Sequence, residues 1–195
     1  MLFRSLLGYL ATQPGLRVSR DHLAFLLWGD SNQDQARHSL RQAIMSLRKS
    51  LNGEAQTLLQ TAGSDIVLSS SAIDIDLDKF RRLSGSDEVD DLIRAANLYR
   101  GDLLDGVSVA TDGFSDWLAR ERANFRDIAA DAQFRLARSL YTAGKTEEAL
   151  KAAKRTLQLD PALEECHRLI MQIHHRAGNR TAALRQYREC VDVLR

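Results

Sequence analysis

Length, composition and charge limit what this chain can be. Its 195 residues are 44% hydrophobic, which is enough to bury a core in one or two domains, and they include only two prolines. The 27 basic and 26 acidic residues nearly cancel, which excludes a polycationic chain, so a surface for an anionic partner must be local. Cys166 and Cys190 show no metal-ligand or disulfide-scaffold spacing, which favours reduced, buried thiols in a cytoplasmic protein. The sequence contains no apolar run long enough to span a membrane.

Two short helices are predicted at the start of the chain. Leucines recur at helical spacing between Leu2 and Leu10, and the turn signal Gln-Pro-Gly at 13–15 ends that pattern. Ser19 is a good N-cap for the second helix, and Gly29 ends it after an apolar stripe.

A third, basic helix is predicted over Gln35–Leu51. The surrounding stretch, 35–53, carries four Lys or Arg residues and no acid. An apolar stripe about 100° wide predicts that one face is buried. Arg, Lys and Gln on the opposite arc suit phosphates and base edges, although a solvated helix face is the alternative. The candidate DNA-binding residues on that arc and its edges are Arg37, His38, Arg41, Gln42, Met45, Ser46, Arg48 and Lys49.

A hairpin follows, with strands predicted at 57–61 and 66–69. Two helices, a basic helix and a hairpin form the order of a winged helix-turn-helix. The stretches GYLATQPGLRVSRDHLAFLLW and DQARHSLRQAIMSLRKSL resemble the winged-helix half of bacterial transcriptional activators of the antibiotic-regulatory type. That DNA-binding domain is similar to the one in response regulators. The resemblance implies that 35–51 is the recognition helix, which enters the major groove of double-stranded DNA.

Two features depart from this family. Its domain begins with a small antiparallel sheet, whereas this sequence starts at the first helix, so we expect an N-terminally truncated winged helix. The segment 54–72 contains no Lys or Arg, although a wing usually offers a basic side chain to the minor groove. An alternative function is therefore a protein-interaction scaffold whose winged helix no longer binds DNA.

The C-terminal part repeats with a period of 34 residues. Ala143–Leu157 aligns with Ala177–Val191, so that Gly144 falls on Gly178. This period predicts tetratricopeptide-like helix pairs, and Pro161 lies where a second unit would begin. We expect a mainly α protein: a winged helix-turn-helix lacking its N-terminal sheet at 1–71, followed by a tetratricopeptide-like helical repeat domain at 72–195.

The stretches AANLYRGDLLDG and FSDWLARERANF also resemble the family, whose activator domain is built from such helix pairs. Tyr99 and Trp117 are interpreted as core anchors because both lie in apolar helical context. The first helix of each pair is expected to line a concave surface that binds RNA polymerase or another protein. Ordinary solvated charges are the alternative for this surface, and a homodimer through the helical domain is a further possibility. The candidate partner-binding residues are Arg135, Arg138, His167, Arg168 and His175.

The sequence does not indicate an enzyme, and we expect no cofactor and no metal. It contains no Gly-rich phosphate loop, nucleophile motif or metal-ligand spacing. Adjacent residues such as His174 and His175 point about 100° apart on a helix, so they cannot chelate one ion from the same face. A DNA-binding transcriptional regulator is the function that the sequence favours.

Overall fold

The computed structural model describes residues 2–50, 58–69, 73–107 and 111–195, and confirms the mainly helical fold. Within these ranges it contains nine α-helices and one three-stranded sheet. The helices are α1 (Leu2–Thr12), α2 (Arg20–Trp28), α3 (Gln33–Ser50), α4 (Asp76–Ser84), α5 (Val89–Leu98), α6 (Asp112–Thr142), α7 (Thr146–Leu159), α8 (Glu164–Arg176) and α9 (Arg180–Val193), and the strands are β1 (Arg17–Ser19), β2 (Leu59–Ala62) and β3 (Asp65–Leu68).

The chain divides into two compact units, and each is discontinuous in sequence. The first comprises 1–77 and 103–122, and the second comprises 78–102 and 123–195. The segment 103–122 belongs to the first unit because its apolar side chains Phe114, Trp117 and Leu118 are buried in the same core as α1. Trp117 is thus a core anchor, as predicted.

The domain boundary predicted between residues 71 and 72 lies outside the described residues. The division at 1–71 and 72–195 therefore stays a prediction. No sequence pattern indicated that 103–122 would pack with the N-terminal residues, because a helix stripe shows which face is buried but not which partner covers it.

The strand order in the sheet is β1-β3-β2, and both strand pairs are antiparallel. β2 and β3 form the predicted hairpin, and Gly63 supplies the positive φ (61°) that its tight turn requires. The third strand, β1, was not predicted, because three residues are too few to show an alternating pattern. Thr57, at the start of the predicted first strand, lies outside the described residues. Leu59, Ile66 and Leu68 are buried and attach the sheet to the first core.

α3 begins two residues earlier than the sequence predicts. The Asn32 side chain caps it by accepting a hydrogen bond from the Gln35 backbone N–H, at 2.9 Å. The first turn therefore includes Asp34, which suits the positive end of the helix dipole. The predicted apolar stripe is confirmed at its buried positions Ala36, Leu40, Ile44 and Leu47.

The 34-residue repeat is present in the backbone of the second unit. Gly144 and Gly178 both adopt positive φ, at 78° and 71°, and each ends a helix in the same way. The N–H of the following residue donates to a carbonyl five residues earlier, from Lys145 to Leu140 and from Asn179 to His174. The pairs α6–α7 and α8–α9 are therefore two copies of one helix-turn-helix unit.

Candidate nucleic-acid interface

α3 packs its apolar stripe against α1 and α2 and turns its opposite face to solvent. Leu47 on the stripe is 3% exposed, whereas Met45 on the other face is 57% exposed. Because the buried stripe fixes the rotation of the helix, the helix phase predicted from sequence is the phase that the structure shows. The exposed residues of this face are Arg37, His38, Arg41, Gln42, Met45, Ser46 and Lys49.

Arg37 is exposed but already has an acidic partner. Its Nε and one terminal nitrogen donate to the two carboxylate oxygens of Asp21, at 2.8 and 3.1 Å. The hydrogen bond from Arg37 lowers the pKa of Asp21 below its ordinary value. Asp21 lies in the first turn of α2, so the pair joins α2 to α3. Arg37 therefore offers less free charge than its sequence context suggests.

Arg48 lies at the edge of the face and is half-buried. It donates to the backbone carbonyl of Leu59 at 3.0 Å, which attaches α3 to the first strand of the hairpin. Its Nε is buried without a hydrogen-bond partner within the described part of the chain. The position of Arg48 is therefore explained by packing and not by contact with a ligand. Among the eight candidate DNA-binding residues, Arg48 is the one that does not lie on the exposed face.

Basic side chains do reach the hairpin, but they come from β1 and α2. Arg17 forms an ion pair with Asp65, and its hydrogen bond lowers the pKa of that carboxyl group. Arg20 is exposed and donates to the hydroxyl of Thr61 at 3.1 Å. Neither residue was predicted, because both lie outside the segment 54–72 that was expected to form the wing. The signal was the short stretch Arg17-Val18-Ser19-Arg20, which becomes the third strand and the start of α2.

Two predicted partner-binding residues lie on α6, and they have different environments. Arg135 donates to the backbone carbonyls of Ser84 and Ser86 and pairs with Asp87 and Asp131. It therefore holds the 84–87 segment against α6. Arg138, one turn further on, is exposed, and its guanidinium carbon lies 5.9 Å from the centre of the Phe134 ring.

The predicted partner-binding residues on α8 also differ. His167 is only 3% exposed, so the structure corrects its expected place on an open groove. Its Nδ1 and Nε2 lie 2.8 Å from Gln186 Nε2 and from the carbonyl of Pro161, so it joins α8 to α9 and to the preceding turn. Arg168 is exposed but pairs with Glu164 and Glu165 at 3.9 and 3.3 Å. His175 is exposed.

The described ranges contain no group of three or more side chains that could hold a metal ion and no helix that could cross a membrane. Cys166 and Cys190 are free and buried. Burial raises the pKa of the Cys166 thiol from 9.0 to about 12, so this thiol is held in its unreactive protonated form.

Two family models match the chain, and together they cover most of it. The model described as transcriptional regulatory protein, C terminal, matches residues 3–64, and the bacterial transcriptional activator domain matches residues 76–195. The chain belongs to the bacterial transcriptional activator domain family. A search of curated proteins found no match.

The family fits the two modules described above. A member of the bacterial transcriptional activator domain family with a winged helix before that domain is a bacterial transcriptional regulator. The matched families are regulatory domains and not enzymes. The family resemblance inferred from the sequence is confirmed, and so is the order of its modules.

Proposed function

We propose that this regulator binds double-stranded DNA with α3 in the major groove and activates transcription through its helical domain. The single observation that carries the DNA-binding proposal is the exposed face of α3. His38, Arg41, Gln42, Met45 and Lys49 occur at helical spacing on that face, opposite the buried residues Ala36, Leu40, Ile44 and Leu47. The bacterial chromosome lies in the cytoplasm, so the proposal includes a cytoplasmic location for this regulator.

The exposed side chains have two separable tasks. Arg41 and Gln42 can each make paired hydrogen bonds to base edges, with guanine and adenine as their respective preferences. Lys49 and Arg20 suit phosphates, which fix the position of a protein on the duplex without reading its sequence. No residue of α3 after its first turn is acidic, so Arg41 and Lys49 give its exposed face a positive charge.

The proposal is tested by fluorescence anisotropy on an operator selected from genomic fragments. Arg41→Ala and Gln42→Ala should each weaken binding by about 1–3 kcal/mol and relax preference at one base pair. Arg94→Ala on α5 is the matched control, because it removes an exposed arginine outside α3. If no fragment binds in a salt-dependent manner, the chain is the interaction scaffold considered above.

For activation, we propose that the helical domain contacts an acidic segment of RNA polymerase or of another protein. Among the predicted residues, Arg138 and His175 are exposed and make no ion pair within the described residues, so they are the strongest candidates. Arg168 contributes less because Glu164 and Glu165 already neutralise it. Arg135 and His167 support this surface from within, through the bonds described above.

A reporter assay distinguishes the partner surface from the DNA-binding surface. Arg138→Glu should reduce activation while protein level and operator affinity stay unchanged, and Arg94→Glu should leave activation intact. If Arg138→Glu activates normally, the proposed groove is not the effector surface. Sedimentation of the full chain would then show whether dimerisation through the helical domain takes its place.

A further inference from the structure

A cleft of about 440 Å³ in the second unit belongs to neither proposed surface. Its floor is formed by one side of α6, at Ala129, Ala132 and Gln133, and α5 and the end of α7 supply its walls. Its volume lies within the range of about 300–1,000 Å³ that small-molecule sites occupy. All of its lining residues come from one compact unit, so the cleft is a property of that unit alone.

The rim of the cleft is positively charged. Arg100 and Arg155 line it, and none of its lining residues is acidic. Both arginines are exposed, and neither forms an ion pair in the ranges that the structure describes. The acid nearest to Arg100 in sequence, Asp102, already has partners, because it accepts from Arg126 at 2.6 Å and from the Tyr99 hydroxyl at 3.2 Å. Two guanidinium groups are therefore available to an anion.

The interior of the cleft is apolar, with one buried amide. Phe80, Ala129 and Ala132 are buried apolar residues of the lining. Gln133 is 5% exposed and contributes a polar group to this floor. An apolar floor with a few polar groups at fixed positions is the usual composition of a ligand pocket, and arginine forks match carboxylate and phosphate oxygens.

We propose that this cleft binds a small organic anion. The apolar body of the ligand lies on the α6 floor, and its carboxylate or phosphate pairs with Arg100 and Arg155. The proposal gives a function to the Tyr-Arg-Gly stretch at 99–101, which the interpretation of Tyr99 as a core anchor leaves unexplained. It does not depend on DNA binding, because no residue of the first unit takes part.

The proposal is tested on the full chain with 8-anilinonaphthalene-1-sulfonate, a fluorescent anion with an apolar body. Arg100→Gln and Arg155→Gln should each weaken its binding about tenfold, the usual effect of removing one charge-assisted hydrogen bond. Arg94→Gln is the control, since it removes one exposed positive charge from α5 without altering the cleft lining. All three side chains are exposed, so thermal melts should be unchanged.

Competition shows which oxyanion the cleft prefers and whether the apolar body matters. Octanoate and octyl phosphate should displace the probe, and the stronger competitor identifies the preferred head group. Inorganic phosphate should not displace it at the same concentration. Equal probe binding by wild type and both cleft variants would overturn the proposal. So would an equal loss in the Arg94→Gln control, or full displacement by inorganic phosphate.

Discussion

Basic side chains predict two binding surfaces in this protein, one on α3 and one on the helical domain. The two sets of side chains differ in how many already have partners within the fold. On α3, Arg41, Gln42 and Lys49 are exposed, and neither of the two basic side chains makes an ion pair within the described residues. In the helical domain, Arg135 and His167 hydrogen-bond to nearby backbone and side-chain groups. Basic side chains at the centre of the α3 face are therefore exposed, whereas two of the five predicted in the helical domain hold the fold together.

Helical periodicity determines the rotation of a helix but not the partners of its exposed charges. The apolar stripe of α3 fixes which side chains face outward, because burying that stripe sets the rotation of the helix. It does not reveal which residues from distant parts of the chain will neutralise an outward charge. Asp87, 48 residues before Arg135, reaches its guanidinium from outside α6.

The largest expected effect tests the phase of α3. Leu47→Ala should lower the free energy of unfolding of the first unit by about 2–5 kcal/mol, because it opens a cavity in a packed core. Met45→Ala, on the exposed face, should be nearly neutral. Urea denaturation monitored by circular dichroism measures both. The reverse order of stability would mean that the face assigned to DNA is buried.

The next effect separates the two arginines of α6. Arg135→Ala should destabilise the second unit by about 1–3 kcal/mol, because it leaves the carbonyls of Ser84 and Ser86 without their donor. Arg138→Ala removes an exposed charge one turn away and should leave the melting temperature unchanged. Equal stability of the two variants would mean that the bonds of Arg135 do not stabilise the fold. The helical domain would then not differ from the exposed face of α3 in this respect.

A smaller effect concerns the interior of the helical domain. Burial raises the pKa of Cys166 from 9.0 to about 12, so folding favours the protonated thiol. The stability that this thiol contributes is complete below pH 9 and declines as the pH rises toward 12. The stability difference between wild type and Cys166→Ala should therefore shrink over that range in urea titrations. A difference independent of pH would mean that solvent reaches the thiol.

The smallest effect tests the exposed pair on the DNA-binding side. Asp21→Asn frees Arg37 from its acidic partner and removes a negative charge beside the proposed interface. Binding to non-specific DNA should therefore tighten slightly, and its salt dependence should become steeper. Asp105→Asn, an exposed acid outside α2 and α3, serves as the control. Weaker binding by Asp21→Asn would show that the Arg37 pair is needed to orient α3.

Much of the fold could be predicted from the sequence because its signals are local. The stripe of α3, the hairpin turn and the glycines of the repeat each specify their element within a few residues. The sequence could not reveal β1, which is three residues long, or the packing of 103–122 with the first unit. His167 was expected on an open surface. Its partner Gln186 lies in the next helix, so the residues around His167 in the sequence do not reveal the contact that buries it.

If the exposed face of α3 lies against DNA, bound DNA must shield an introduced thiol on that face from alkylation. Met45→Cys places a reactive group at the centre of that face, whereas Cys166 and Cys190 are buried and should react slowly. Ile93→Cys on α5 is a solvent-exposed control. Saturating operator DNA should protect the thiol of Met45→Cys from iodoacetamide and leave that of Ile93→Cys reactive. Equal alkylation of Met45→Cys with and without bound DNA would contradict the account.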